Sequence, residues 1–317
     1  MKLKGIGVSL MSCDVVSRTD RLKEKLAQVL EAGYQAVELP IQGMRIIENG
    51  VIDPGRLEAY VELLRGIPLR YTLHAPFDLN VFRADDIGFE QRLLLACLDV
   101  AGAVGADLLV VHVGRFVGEE QFLYPQTWPR YTDADKRLLL EREAAIMREA
   151  GEYARQRSVR IGMENVRPYL DCPDYCYSVI PAQLAEQVAA IGHPNVGIAL
   201  DVGHLYLSLQ MYGLSLQREL EAMVPYIIHL HVHDNYGKPN YSTEKNQYEL
   251  LPLGRGDMHM PIGEGAVPMA EIARLLGGCA QEGYMIHEIR EQYESHWTYL
   301  SATYRDLSSF GKAVAVG

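Results

Sequence analysis

Ile227-Ile228-His229-Leu230-His231-Val232-His233 decides the fold. Four aliphatic residues mark a buried strand, and three imidazoles at every second position share one side of it. A strand this apolar belongs in a parallel sheet whose faces are covered by helices. Seven other apolar runs occur, at residues 5–10, 36–40, 70–74, 107–113, 159–165, 196–201 and 284–290. The stretches between them read as helices: 21–32 stops at Gly33, 89–104 stops at Gly105, and 133–157 keeps apolar residues at helical spacing. Eight strand–helix units predict an α/β chain folded as a single (β/α)8 TIM barrel over residues 1–317. The alternative, a doubly wound open sheet, calls for a glycine fingerprint between a strand and a helix. Gly263-Glu264-Gly265 follows a polar stretch instead.

Nine residues able to bind metal stand at or just past the ends of these runs: His74, His112, Glu164, Asp201, His204, His231, Asp257, His259 and Glu288. Burying an unpaired carboxylate or imidazole costs free energy, so something must collect them. In a barrel the ends of the strands and the loops after them form one face. The loops at 114–132, 166–180 and 234–266 are the long ones, which puts the nine on the elaborated face. Mixed imidazole and carboxylate ligands favour zinc or manganese among divalent ions, and bridging carboxylates would let one to three ions share the site. On the seventh strand His229 is expected deeper in the barrel than His231, and His233 nearer its mouth. His193 and His296 fit no such pattern and read as surface or capping residues.

Composition narrows the partners. At 317 residues, with 48% hydrophobic and 22% charged residues, the chain is globular. No apolar run approaches the roughly 20 residues of a membrane span. Five scattered cysteines suit free thiols in a reducing compartment, so a cytoplasmic location is expected. The net charge of -11 argues against polyanionic partners. The loops after the third, fourth, fifth and seventh runs reinforce this, because their acidic residues, Asp85 and Asp86 among them, outnumber their basic ones. Their many aromatic residues are expected to pack the loops against the barrel or a second copy, leaving a homo-oligomer open.

The segments Leu73-His74-Ala75-Pro76, Val111-His112-Val113-Gly114, Met163-Glu164-Asn165, Leu200-Asp201-Val202-Gly203-His204, His231-Val232-His233-Asp234-Asn235, Gly256-Asp257-Met258-His259 and His287-Glu288 occur in this order. As a set they resemble the xylose isomerase-like TIM-barrel superfamily, which joins sugar and sugar-phosphate isomerases, epimerases and dehydratases with endonuclease IV-like enzymes of AP endonuclease family 2. In ketose 3-epimerase-like members, the resemblance implies one metal held by Glu164, Asp201, His231 and Glu288, with the two glutamates acting as acid and base. In endonuclease IV-like members, it implies that all nine positions hold three zinc ions. His233 stands where many isomerase-like members carry a lysine that touches substrate.

The expected function is a metal-dependent isomerase or epimerase of a small sugar, sugar phosphate or polyol derivative, working through a metal-stabilised enediolate. Glu164 and Glu288 are the catalytic candidates, and His204, His233, Arg115, Arg167 and Arg290 the substrate contacts. A three-zinc abasic-site phosphodiesterase or a sugar dehydratase is the alternative.

Overall fold

The computed structural model describes residues 1–83 and 87–311. Eight parallel strands close into a barrel: β1 (Lys2–Ser9), β2 (Ala36–Pro40), β3 (Arg70–His74), β4 (Leu108–His112), β5 (Arg160–Glu164), β6 (Val196–Asp201), β7 (Ile227–Val232) and β8 (Glu282–His287). They pair in chain order, and Val8 of β1 is in register with both Val37 of β2 and His287 of β8. That last pairing rules out the open sheet. Strands β2, β6 and β7 are buried along their whole length, as their apolar character requires.

The covering layer is formed by α1 (Thr19–Glu31), α2 (Pro54–Arg65), α3 (Ile87–Val104), α4 (Asp133–Arg155), α5 (Pro181–Ile191), α6 (Val202–Tyr212), α7 (Leu216–Met223), α8 (Met269–Leu276) and α9 (Trp297–Thr303). Local chemistry fixes their ends. Asp53 caps α2 by accepting from the N–H groups of Gly55 and Arg56. Thr132 and Asp135 form a reciprocal capping box on α4. Gly192 and Gly213 end α5 and α6 in the left-handed region, at φ 62° and 63°, where a Cβ would be strained. Leu22, Leu26 and Val29 of α1 are buried against the barrel and typify how one helical stripe covers the sheet.

Two boundaries differ from expectation in ways that matter for the site. Helix α6 starts directly after Asp201, whose carboxylate accepts from the His204 N–H at 2.6 Å, so His204 sits in the first helical turn. Strand β8 ends at His287, which leaves Glu288 and Arg290 on the following turn. Strand β1 also begins earlier than its apolar run, because its first residues alternate toward solvent. Among the described residues no helix is long and apolar enough to cross a membrane. All five cysteines are free. Asp85 and Asp86 lie outside the described residues.

Candidate metal centre

The barrel brings all nine sequence-predicted ligand candidates together. Strand register does much of this: His112 pairs with Glu164, and Asp201 pairs with His231. Three groups result. Glu164, Asp201, His231 and Glu288 form the first, with one ligand atom of each within 4.8 Å of the others. His231 Nδ1 lies 2.8 Å from Glu164 Oε1 and 3.1 Å from Glu288 Oε2. His74, His112 and Glu164 form the second, both imidazole Nε2 atoms lying 3.1–3.2 Å from Glu164 Oε2. The third holds His204, His233, Asp257 and His259. There, Asp257 Oδ2 lies 3.1 Å from His204 Nε2 and 2.8 Å from His259 Nε2. Glu164 belongs to the first two groups, and Asp201 touches His233 of the third at 3.1 Å, so the two carboxylates bridge the set.

The imidazoles are presented by their backbone contacts. Nδ1 of His74 is 2.7 Å from the Ala75 carbonyl, Nδ1 of His204 is 2.9 Å from that of Asn165, and Nδ1 of His259 is 2.8 Å from that of Glu288. A carbonyl accepts only, so each Nδ1 carries a proton and each Nε2 is the nitrogen turned to the centre, where it would ligate a metal once it has lost its own proton. Asn165 clamps β5 to β6, donating to the Asp201 carbonyl and accepting from the Asp201 N–H, both at 2.9 Å. The Asp257-Met258-His259 turn puts His259 at φ 46°, a left-handed conformation uncommon for any residue but glycine. Arg290 holds that turn, donating to the Met258 and Asp257 carbonyls at 3.1 Å each.

Electrostatics shows that the centre calls for positive charge. Asp257 Oδ1 and Glu288 Oε2 are buried oxygens with no hydrogen-bond donor. An orphaned carboxylate oxygen in a buried site costs about 1–3 kcal/mol or more, and a divalent cation removes that penalty. In the protein alone, imidazoles supply the charge. Burial pushes the Glu164 carboxyl up, but His231, His112 and His74 together hold it well below its ordinary value. Burial depresses His204 and His233, yet Asp201 and Asp257 outweigh it and raise them to about 10 and about 9. His112 goes the other way, since burial dominates and keeps it neutral, which is the ligating form. The donor set of imidazoles and carboxylates fits zinc or manganese chemistry.

A cavity of about 260 Å³ opens onto the centre, slightly below the ordinary range of about 300–1,000 Å³ for ligand pockets. Four of the five residues expected to touch substrate border it: His204, Arg115, Arg167 and Arg290. His233 does not. Its ring is fully buried, stacked on His259 with centroids 4.1 Å apart and wedged between Asp201 and Asp257. The geometry therefore groups it with the ligand candidates.

Glu38 was not anticipated. It is fully buried on β2, with Oε1 2.9 Å from His231 Nε2 and Oε2 3.1 Å from His229 Nε2. The only signal in the sequence is a glutamate inside the apolar run Ala36-Val37-Glu38-Leu39. Lys245 and Glu119, which the sequence offered only as loop charges, also line the cavity. The loop aromatics divide: Phe122, Tyr169 and Tyr175 meet one another at ring distances of 5.2–5.5 Å, whereas Tyr124, Tyr236, Tyr241 and Tyr248 are exposed.

Comparison with known proteins agrees with the barrel fold. An uncharacterised protein of Methanocaldococcus jannaschii is 24% identical over 269 residues, covering 83% of this chain and 78% of that protein. A solved D-tagatose 3-epimerase-like protein is 22% identical, with 94% of each chain covered and a TM-score of 0.65. The D-allulose 3-epimerase of Methylomonas sp. is 15% identical over 97% of this chain and 92% of its own, with a TM-score of 0.61. The 3-keto-D-glucoside 4-epimerase of E. coli is 16% identical over 95% and 99%, with a TM-score of 0.62. At these identities the likeness is one of fold. The family model described as the xylose isomerase-like TIM barrel, AP endonuclease family 2, matches residues 26–306, and the chain belongs to that family.

Proposed function

We propose that this protein is a metal-dependent isomerase or epimerase of a small sugar or sugar derivative. The observation that carries the reading is Glu288. It stands on the cavity wall, its Oε2 makes no hydrogen bond, and that oxygen lies 3.1 Å from the same His231 Nδ1 that Glu164 of its own group holds at 2.8 Å. Glu164, Asp201, His231 and Glu288 would hold the principal ion, which when bound supplies positive charge beside a substrate carbonyl and eases loss of the adjacent proton. Glu288 takes or returns that proton at the cavity wall, and Glu164 serves as its partner carboxylate. His74 and His112 fix the Glu164 carboxylate from behind, each at about hydrogen-bond distance from Oε2. Arg290 and Arg167 hold Asp257 in place at the border of the cavity. Sugar epimerases among the fold relatives support the reading.

The test is deuterium incorporation next to the carbonyl across a panel of ketoses and ketose phosphates in D2O, followed by NMR. The wild-type protein loaded with manganese or zinc should exchange the proton, and Glu164→Gln should lower the exchange at least 100-fold with an unchanged circular dichroism spectrum. Full exchange by the variant sinks the assignment.

A second reading has its own observation, the three contiguous groups bridged by Glu164 and Asp201, which suit a three-metal phosphodiesterase. It requires three metals per chain and retention of abasic DNA at low salt, where phosphate contacts are strongest.

A further inference from the structure

One wall of the cavity is built from the loops after β4, β5 and β7, and it carries more positive charge than the loops do as a whole. Arg115, Arg167 and Lys245 surround Glu119 there, and Glu244 is the second loop acid on the same wall. Lys245 Nζ lies 3.1 Å from Glu119 Oε2, and Arg115 Nη1 lies 3.8 Å from Glu119 Oε1. The Tyr169 hydroxyl accepts from Arg167 Nε at 2.8 Å and from Lys245 Nζ at 3.4 Å, which ties two of the cations into one frame. Arg167 also spans to Asp257, at 2.9 Å from its Oδ2, so the frame abuts the candidate metal centre.

Arg115 is the anomaly. Its side chain is 1% exposed, yet only Nη2 makes a hydrogen bond, to the Leu79 carbonyl at 3.2 Å. Nε and Nη1 are buried without an acceptor. A buried guanidinium with two idle donors and one long ion pair is an incomplete arrangement. A planar oxyanion is what such a fork is shaped to receive. Glu119 is placed as a stand-in. It lies in the short 3-10 turn Glu119–Gln121, and its side chain remains 25% exposed, so it can swing out. Burial pushes its carboxyl up, but Arg167, Lys245 and Arg115 outweigh that and bring it down to about 2. The three cations thus already hold one carboxylate.

The geometry points to an oxyanion subsite: Arg115, Arg167 and Lys245 bind the phosphate or carboxylate group of an acidic sugar derivative, and Glu119 is the resident counter-ion that this group displaces. The inference rests on the isomerase reading for the rest of the substrate, and narrows its class from sugars in general to acidic ones. A merely structural network would leave Arg115 satisfied; a subsite for neutral hydroxyls would not need a buried guanidinium with idle donors beside two further cations.

Calorimetric titration of the metal-loaded protein tests it, with inorganic phosphate, D-glucose 6-phosphate, D-gluconate and neutral D-fructose as probes. Lys245→Met should weaken binding of phosphate and of at least one acidic sugar about tenfold, the usual worth of one charge-assisted hydrogen bond. Glu119→Gln should tighten it several-fold, because the competing anion is gone. D-Fructose should be indifferent to both substitutions. Whether the phosphate or the carboxylate sugar responds identifies the oxyanion. Phosphate affinity equal in all three proteins places the anion on the metals and overturns the subsite; D-fructose binding that shifts as much as phosphate binding overturns its charge selectivity. If acidic sugars show the expected pattern and no ketose or ketose phosphate exchanges its proton, the subsite stands and the isomerase reading fails. Proton exchange on neutral ketoses, with phosphate blind to Lys245 and Glu119, gives the reverse.

Discussion

Glu38 Oε1 lies 2.9 Å from His231 Nε2, and the opposite nitrogen of the same ring faces Glu164 at 2.8 Å. The imidazole is therefore held between an inner carboxylate and the ligand group. Glu38 is itself tied to Thr72 Oγ1 at 3.0 Å and to His229 at 3.1 Å, so it sits firmly. Outer carboxylates of this kind orient a ligating histidine and raise its basicity. Glu38→Gln is expected to lower metal affinity about 10- to 100-fold while the barrel stays folded. Competition against a chelator of known strength measures it, and an unchanged affinity would show that Glu38 is only a packing residue.

Arg290 acts at one remove from the chemistry. Its guanidinium fastens the carbonyls of Asp257 and Met258, and His259 next to them adopts φ 46°. A non-glycine residue there costs on the order of 1 kcal/mol, so the turn needs an external hold. Arg290→Met should release it. The expected result is weaker metal binding at the group of His204, His233, Asp257 and His259, with the group around Glu164 spared. Metal stoichiometry read by elemental analysis should fall by one ion in a protein that otherwise loads fully, and equal stoichiometry would count against the role.

The barrel was legible because a parallel strand buried on both faces leaves a continuous apolar run, and the ligand candidates were legible because such runs have no use for a terminal carboxylate or imidazole. Glu38 escaped for the complementary reason. It lies within its run, flanked by Val37 and Leu39, and no neighbouring motif distinguishes it from a strand-edge acid. His233 shows the limit of parity. Alternation gave the side of β7 it occupies, but how far the chain turns after Val232, tucking the ring between Asp201 and Asp257, depends on contacts between β6 and the distant 257–259 turn. Loop charge was informative only in sum: acids outnumber bases along the loops, while folding sets Arg115, Arg167, Lys245 and Arg290 among Glu119, Glu244, Asp257 and Glu288 around one cavity.

Removing metal should be visible in stability. The centre leaves Asp257 Oδ1 and Glu288 Oε2 buried without donors, so an ion that binds only the folded chain stabilises it by mass action. At a free metal concentration of about 100 times the Kd, the gain is roughly 2.7 kcal/mol. For a chain of 317 residues that corresponds to a Tm higher by roughly 4 °C. Thermal unfolding of chelator-treated protein, before and after adding zinc or manganese, checks this, and Asp257→Asn should recover only part of the shift. Identical melting with and without metal would show that the imidazolium pairs suffice.

Glu143 supplies a pH dependence separate from the metal centre. It is fully buried on α4, where it accepts from the Gly114 N–H at 2.7 Å, the Tyr177 hydroxyl at 2.6 Å and Gln187 Nε2 at 2.9 Å, and so joins the loops after β4 and β5 to two helices. Burial raises its carboxyl from 4.5 to about 7, outweighing those three donors. A folded-state value above the unfolded one means that its contribution to stability is complete below about 4.5 and is lost as pH rises through about 7. The loss is on the order of 2–3 kcal/mol by pH 8. Glutamine has nearly the same shape and no charge to bury, so Glu143→Gln should be the less stable protein at pH 5 and should lose its disadvantage, or reverse it, by pH 8. Urea unfolding of both proteins at pH 5, 6.5 and 8 yields the difference directly, free of the titration shared by the histidines. A difference that stays constant across the three values would mean that the three donors, not burial, set the charge of Glu143.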